Sequence, residues 1–174
     1  MTLVIDHTER LKAINPQESF IVSAPAGSGK TGLITQRILC LLGTVNHPEE
    51  ILSITFTRKA AAEMAARVHS ALQTAANEPR PENQYEAQTW DFAQKALQQD
   101  QSLNWNLLDM PNRLRIQTID SFCRYIARQF SLETKLGDLS EPSDQPEVHY
   151  QSASRSLLQK LETDDALTPH LTVL

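Results

Sequence analysis

Cysteine is nearly absent from this 174-residue chain: Cys40 and Cys123 are the only two. The five histidines, His7, His47, His69, His149 and His170, are scattered. With no Cys/His cluster, neither a disulfide framework nor a caged metal organises the chain. Both cysteines fall in apolar helical patterns, which predicts reduced, buried thiols and a cytoplasmic setting. No apolar run approaches the roughly 20 residues that span a bilayer, so no membrane partner is expected. The start, Met1-Thr2-Leu3-Val4-Ile5-Asp6, has no basic stretch followed by a long apolar one and does not read as a signal peptide. Internal repeats and low-complexity tracts are lacking as well.

Positive charge is also short, with a formal net charge of −5. That argues mildly against nucleic acid, but the charge is uneven. Residues 1–75, 76–109, 110–135 and 136–174 carry +1, −4, +3 and −5. Screening confines a charge to about 8 Å, so a local basic surface can hold phosphate on an acidic chain. The basic excess around Arg113, Arg115, Arg124 and Arg128 reads either that way or as a solvated helix face.

What is present begins with Ala24-Pro25-Ala26-Gly27-Ser28-Gly29-Lys30-Thr31, directly after the apolar run Phe20-Ile21-Val22. Leu33, Ile34, Ile38, Leu41 and Leu42 then recur at helical spacing. A strand, a glycine-bearing loop and a helix in that order make a phosphate cradle. Gly27 and Gly29 let the backbone take strained dihedrals close to a ligand. The loop N–H groups and the helix N-terminus favour phosphate oxygens. Lys30 is placed to reach the β and γ phosphates of a nucleotide, and the Thr31 hydroxyl to ligate Mg²⁺. Ala24 stands where the strict pattern has glycine.

Along the chain, the pattern predicts a helix over 8–14, a strand over 20–23 and a helix to about Leu42. Ile51 to Phe56 reads as a short parallel strand covered on both faces. Thr57 is placed to cap a helix bearing Ala60, Ala61, Met64, Val68 and Leu72. Residues 77–84 read as a loop, 85–99 as a helix, 114–118 as a strand and 119–130 as a helix with Phe122, Cys123, Ile126 and Phe130 on one side. Residues 137–147 form a linker, 148–161 a last helix, and 163–174 are weakly patterned. The implied fold class is α/β, with right-handed crossovers favouring an open parallel sheet.

Three segments carry a resemblance. They are 24–31, then Ile54-Thr55-Phe56-Thr57-Arg58-Lys59-Ala60-Ala61-Ala62-Glu63-Met64, then Ile116-Gln117-Thr118-Ile119-Asp120-Ser121-Phe122-Cys123. Together, over about residues 5–135, they resemble the UvrD/Rep-like superfamily 1 DNA helicases, with segments similar to motifs I, Ia and Ib. Thr-Ile-Asp-Ser-Phe-Cys after an extra helical stretch is similar to the RecB/AddA-like branch (exonuclease V β subunit type). The resemblance implies a P-loop NTPase (RecA-like) parallel sheet with helices on both faces, incomplete here. Residues 1–75 would be part of the ATP-binding core, 76–112 a helical excursion, 113–130 the motif Ib strand and helix, and 131–174 the start of a helical subdomain. It implies ATP and Mg²⁺ as cofactors, held by residues 24–31, with Arg10 beside Glu9 as a further nucleotide contact. It implies single-stranded or partly duplex DNA as substrate, 3′ to 5′ movement, a setting in repair or recombination, and a nuclease or helicase partner subunit. Phe56 would lie on a base or sugar, and Thr57, Arg58, Thr118 and Ser121 would touch phosphate or sugar.

Bland readings stand beside these. Phe56 ends an apolar strand and suits a core. Arg58 and Lys59 suit a solvated first turn, although basic residues there oppose the helix dipole. Asp120 suits a helix start, Glu63 can pair with Arg67 at i, i+4, and Trp90 and Trp105 read as core. Glu9 stands where many relatives have glutamine, and a carboxylate can accept from adenine but not donate. Asp120 stands where many have histidine, and its charge repels phosphate.

Other P-loop classes fit less well. A small kinase needs an arginine-rich lid and a later acidic metal ligand. A GTPase needs Asp-x-x-Gly and Asn/Thr-Lys-x-Asp segments, and neither occurs. A nucleotide-dependent nucleic-acid-binding module remains open. Phosphoryl transfer also needs an acidic pair after an apolar strand, and no Asp-Glu dipeptide occurs. The expectation is therefore an N-terminal fragment of a larger helicase that binds nucleotide weakly and neither hydrolyses it efficiently nor unwinds DNA. In a steady-state assay the purified chain should show no DNA-stimulated ATP turnover; robust turnover would overturn this.

Overall fold

The computed structural model describes residues 7–25, 27–130 and 146–161. The chain forms two compact units, residues 1–126 and 127–174. The first unit is α/β. Its elements are α1 (His7–Ile14), α2 (Lys30–Leu42), β1 (Leu52–Thr55), α3 (Arg58–Asn77), α4 (Gln84–Leu103), β2 (Arg115–Thr118) and most of α5 (Ile119–Gln129). Single 3₁₀ turns at Pro48–Glu50 and Pro111–Arg113 precede the two strands. The second unit contains α6 (Pro146–Leu161), whose described side chains are largely exposed. The linker reading at 137–147 is corrected at its end, where Pro146 and Glu147 open α6; its residues 137–145 and the tail at 163–174 lie outside the described residues. No described helix is long and apolar enough to cross a membrane.

Local chemistry explains the helices. In α3 the buried residues are Ala61, Met64, Val68, Leu72 and Ala75, spaced three or four apart along one face. Thr57 caps it, its Oγ1 accepting from the Ala60 N–H at 3.1 Å. Asn83 caps α4, its Oδ1 accepting from the N–H groups of Tyr85 and Glu86 at 2.9 and 3.4 Å. Asn104 ends α4 in the left-handed region at φ 53°, which asparagine tolerates. Helices α2, α3 and α4 share the main core, with Leu39, Leu42, Val68, Leu72, Ala93 and Ala96 at its centre. The alanines of α4 let its backbone approach closely.

β1 and β2 are parallel neighbours, with Leu52 opposite Arg115 and Thr55 opposite Thr118. The long crossover between them contains α3 and α4. Ser53 faces α3, its hydroxyl 3.2 Å from Met64 Sδ. Alternation then turns Leu52 and Ile54 to the other face, where both are exposed. The expected two-sided cover of this strand is therefore corrected to one side.

The expected strand at 20–23 does not form; this stretch has no regular secondary structure. Phe20 and Val22 are exposed and Ile21 fully so, at 101%. A strand is a pairing outcome, and no strand edge among the described residues takes this run. The cysteine expectation is corrected too: Cys40 is half-buried and Cys123 is exposed. Burial pushes the Cys40 thiol pKa up, with Lys95 and Arg37 opposing. Glu63 and Arg67 form no ion pair. His69 does have a neighbour, its Nε2 lying 3.1 Å from the Leu108 carbonyl oxygen.

Trp105 closes the core at 2% exposure. Its indole N–H donates to the Asn46 carbonyl at 3.0 Å, and its backbone N–H to the Asp100 carbonyl at 3.1 Å. The buried Asp100 carboxylate accepts from the Leu107 N–H at 2.9 Å. Arg113 donates to the Trp105 carbonyl at 2.9 Å and forks onto Glu49, Nε to Oε1 at 2.7 Å and Nη2 to Oε2 at 3.1 Å. Arg113 is thus engaged in a structural clamp, not in an open basic surface.

The hydrogen bond from Arg113 holds the Glu49 carboxyl below its usual pKa, against the smaller opposing effect of burial. A folded pKa below the unfolded one means the pair stabilises above about pH 4.3 and loses that effect as pH falls through the folded value. Arg113→Met should cost about 1–2 kcal/mol at neutral pH, since it also strands a carbonyl. Urea unfolding at neutral pH and near pH 3 should show the gap to wild type narrowing in acid. A gap independent of pH would refute the assignment.

Candidate functional site

The loop before α2 is built on two left-handed glycines. Gly27 has φ +79° and Gly29, the N-cap of α2, has φ +82°. A side chain is costly in that region. A Cβ on Gly29 would also stand 3.4 Å from Arg10 Nη1. Arg10 Nη2 donates to the Ser28 carbonyl at 2.5 Å, so its guanidinium is bound to loop backbone. Lys30 Nζ donates to the carbonyls of Ala24 and Pro25 at 2.5 and 2.6 Å. The Ser28 hydroxyl is buried and has no hydrogen-bond partner among the described residues. Thr31 is exposed in the first turn of α2. The first N–H groups of a helix have no intrahelical acceptor and sit at the positive end of its dipole. Ala26 lies outside the described residues.

The loop is braced from one side by α1. Arg37, on α2, donates to the carbonyls of Ala13, Asn15 and Glu18 at 2.6, 2.9 and 2.8 Å. Those bonds tie the C-terminal end of α1 to α2. The Arg37 guanidinium also lies 5.6 Å from the Phe20 ring centroid. Between α1 and the loop is a recess of about 260 Å³, lined by Glu9, Arg10, Phe20, Val22 and Lys30. That is below the roughly 300 Å³ at which small-molecule pockets begin, so it admits only part of a nucleotide. Glu9 at its rim pairs with Lys12 at 3.0 Å.

A second set of residues gathers at the carboxyl ends of the two strands. The pairing of Thr55 with Thr118 sets Phe56, Thr57 and Arg58 beside Thr118 and Ser121. Phe56 is 87% exposed and its ring serves no core. Arg58 and Lys59 occupy the first turn of α3, which holds no acidic residue, and neither has an ion-pair partner among the described residues. The Thr57 hydroxyl is engaged in its cap. Thr118 is buried, and its Oγ1 accepts from the Ser121 N–H at 3.2 Å and lies 2.9 Å from Ser121 Oγ. Thr118 thus caps α5, and the exposed Asp120 follows in its first turn. Ser121 is the exposed hydroxyl of the pair.

Other candidates are not gathered there. Arg115 stacks on Tyr125 at 4.9 Å and donates to its hydroxyl at 3.3 Å. Trp90 is half-buried and Trp105 buried, both with indole N–H groups bonded to backbone carbonyls. Among the described residues no group of His, Cys, Asp and Glu could hold a metal ion. Sequence reasoning missed the Lys30 contacts with Ala24 and Pro25 and the packing of Tyr85 over Gly32. Both depend on tertiary placement, and no spacing signals them.

The profile of the UvrD/REP helicase N-terminal domain matches residues 6–171. The chain is similar to three proteins, each named as the A subunit of an ATP-dependent helicase/nuclease. That of Lactobacillus helveticus is 32% identical over 129 residues, 74% of this chain and 9% of that protein. That of Desulforamulus reducens is 31% identical over 144 residues, 80% of this chain and 10% of that protein. That of Clostridioides difficile is 35% identical over 119 residues, 66% of this chain and 8% of that protein. The chain therefore spans about a tenth of the length of the curated relatives it matches. No solved structure matches it significantly.

Proposed function

This chain belongs to the UvrD/REP helicase N-terminal family, and from that premise we propose that it is the nucleotide-binding part of an ATP-dependent DNA helicase, a 3′ to 5′ single-stranded DNA translocase of the RecB/AddA type. Family membership sets the small-kinase alternative aside. The finer fold in this reading is a P-loop, RecA-like sheet, with residues 1–75 and 113–130 in the core, 76–112 an excursion and 131–174 the start of a helical subdomain. The setting is cytoplasmic DNA repair or recombination. The relatives are named as one component of a larger enzyme, which supports a partner chain for the whole protein.

One observation carries the nucleotide reading: a buried Ser28 hydroxyl without a partner among the described residues, between two left-handed glycines at a helix N-terminus. A phosphate oxygen satisfies that hydroxyl and the free N–H groups of the first turn. Ala24 to Thr31 form the cradle, and Arg10, a further nucleotide contact in this reading, is held to it through the Ser28 carbonyl. Lys30 exchanges two backbone carbonyls for phosphate, a stronger charge-assisted acceptor. Thr31 would offer a hydroxyl ligand to a Mg²⁺ bound with the nucleotide, which would supply charge neutralisation there. Lys30→Ala should weaken Mg-ATP binding by about tenfold or more, the usual worth of a hydrogen bond to a charged group. Titration with a fluorescent ATP analogue reads this, and unchanged affinity would remove the loop from the site.

The strand ends are the DNA surface in this reading. The exposed Phe56 ring offers a sequence-tolerant stacking platform, and Arg58 with the α3 N-terminus offers phosphate contacts; Thr57 and the exposed Ser121 lie at the same edge, and the buried Thr118, expected to touch phosphate or sugar, instead holds Ser121 in place. Phe56→Ala should reduce single-stranded DNA affinity by about 1–3 kcal/mol. Its melting temperature should hardly change, because the ring contributes little burial. DNA affinity equal to wild type in an anisotropy titration would count against this surface.

A further inference from the structure

The tightest tertiary approach around any described glycine lies in the first turn of α2, not in the loop. A Cβ added to Gly32 would fall 2.2 Å from the Tyr85 hydroxyl oxygen and 3.2 Å from Tyr85 Cζ. Gly32 is an ordinary helical residue without a positive φ. Glycine is a poor helix former, so backbone conformation does not call for it there. The space taken by Tyr85 does.

Hydrogen bonds tie the Tyr85 backbone to α2 and to its own helix start. Gln36, one turn further along α2, is buried, and its Nε2 donates to Thr89 Oγ1 at 2.9 Å and to the Tyr85 carbonyl at 3.4 Å. Thr89 Oγ1 donates in turn to the Tyr85 carbonyl at 2.9 Å. Tyr85 itself stands on the capped first turn of α4, its N–H held by Asn83 Oδ1. On the α2 side, the buried Thr35 donates its hydroxyl to the Thr31 carbonyl at 2.9 Å. A groove of about 610 Å³ opens beside this contact, and Tyr85, at 48% exposure, stands on its wall.

We infer that Tyr85 is a positioning residue for the nucleotide site: by bearing on Gly32 it fixes the first turn of α2, which carries Lys30 and Thr31. This rests on the nucleotide reading above. Lys30 and Thr31 immediately precede Gly32 in the same turn, so a tilt that makes room at Gly32 displaces both. Ligand-binding geometry tolerates little displacement, because the contacts it supports are short and directional.

The test is a set of ATP-analogue titrations with thermal melts on the intact chain. Gly32→Ala should weaken binding by about fivefold to tenfold, a loss on the scale of one hydrogen bond. Adding Tyr85→Phe to it removes the obstructing hydroxyl and should restore most of the affinity. Alanine is the better helix former, so a merely structural role for Gly32 would leave affinity in place, and the melts would not follow the rescue. Tyr85→Ala keeps Gly32 and removes the brace; it should also weaken binding, and it serves if Gly32→Ala fails to fold. Wild-type affinity in Gly32→Ala, or a loss that Tyr85→Phe does not rescue, overturns the proposal. Lys30→Ala in parallel separates the two readings. If Lys30→Ala weakens binding and neither Gly32→Ala nor Tyr85→Ala does, only the positioning role falls. If Lys30→Ala binds as wild type, the nucleotide site itself falls, and this proposal with it.

Discussion

Trp105 meets three stretches of chain at once. The ring lies in the core with α2, α3 and α4, the indole N–H reaches the segment between α2 and β1 at Asn46, and the Trp105 backbone carbonyl receives Arg113 just before β2. Side chains of this size cost about 3–5 kcal/mol to remove from a core. Arg113 then holds Glu49 in the turn that leads into β1. Both strands are therefore entered from points fixed around one ring. Their register follows, and with it the meeting of Thr55 and Thr118 at the far end. The edge that gathers Phe56, Arg58 and Ser121 is set by packing at the opposite end of the strands.

The helices were legible because their signals are local. The positions 61, 64, 68 and 72 of α3 and the Thr57 cap act within a turn or two, whereas α4 runs to Leu103, four residues past the end its pattern marked, and stops at Asn104. Gly27 and Gly29 were legible for the same reason, since a left-handed backbone is a property of the residue itself. The stretch Phe20-Ile21-Val22 was not, because an apolar β-branched run specifies only that a partner is wanted. Whether a strand forms depends on pairing with residues far along the chain. Arg113 misled for a related reason. A run of arginines reports charge, and only the fold shows that one of them forks onto Glu49, 64 residues away in sequence.

The glycine loop and the strand-end surface differ in how they are held. The loop is closed on itself, with Lys30 on Ala24 and Pro25 and Arg10 on Ser28, and a ligand there has to displace existing bonds. The strand ends are held differently: Thr57, Thr118 and Ser121 are engaged in helix caps, while Phe56, Arg58 and Lys59 are exposed and have no ion-pair partner among the described residues. A site that opens by exchange discriminates by the strength of the incoming acceptor. In the proposed DNA reading, exposed groups of this kind discriminate little between sequences.

Leu52 and Ile54 on the exposed face of β1, with Phe56 just beyond it, leave apolar surface in water on a two-stranded sheet whose outer edges pair with no strand among the described residues. Such edges template pairing between molecules, and apolar patches favour it. The net charge of −5 opposes this only weakly, since salt screens it within about 8 Å. Self-association of the chain in isolation is therefore expected to start at its sheet. Dilute, low-salt handling, or a lysine placed at Leu52, is the physical remedy for self-association.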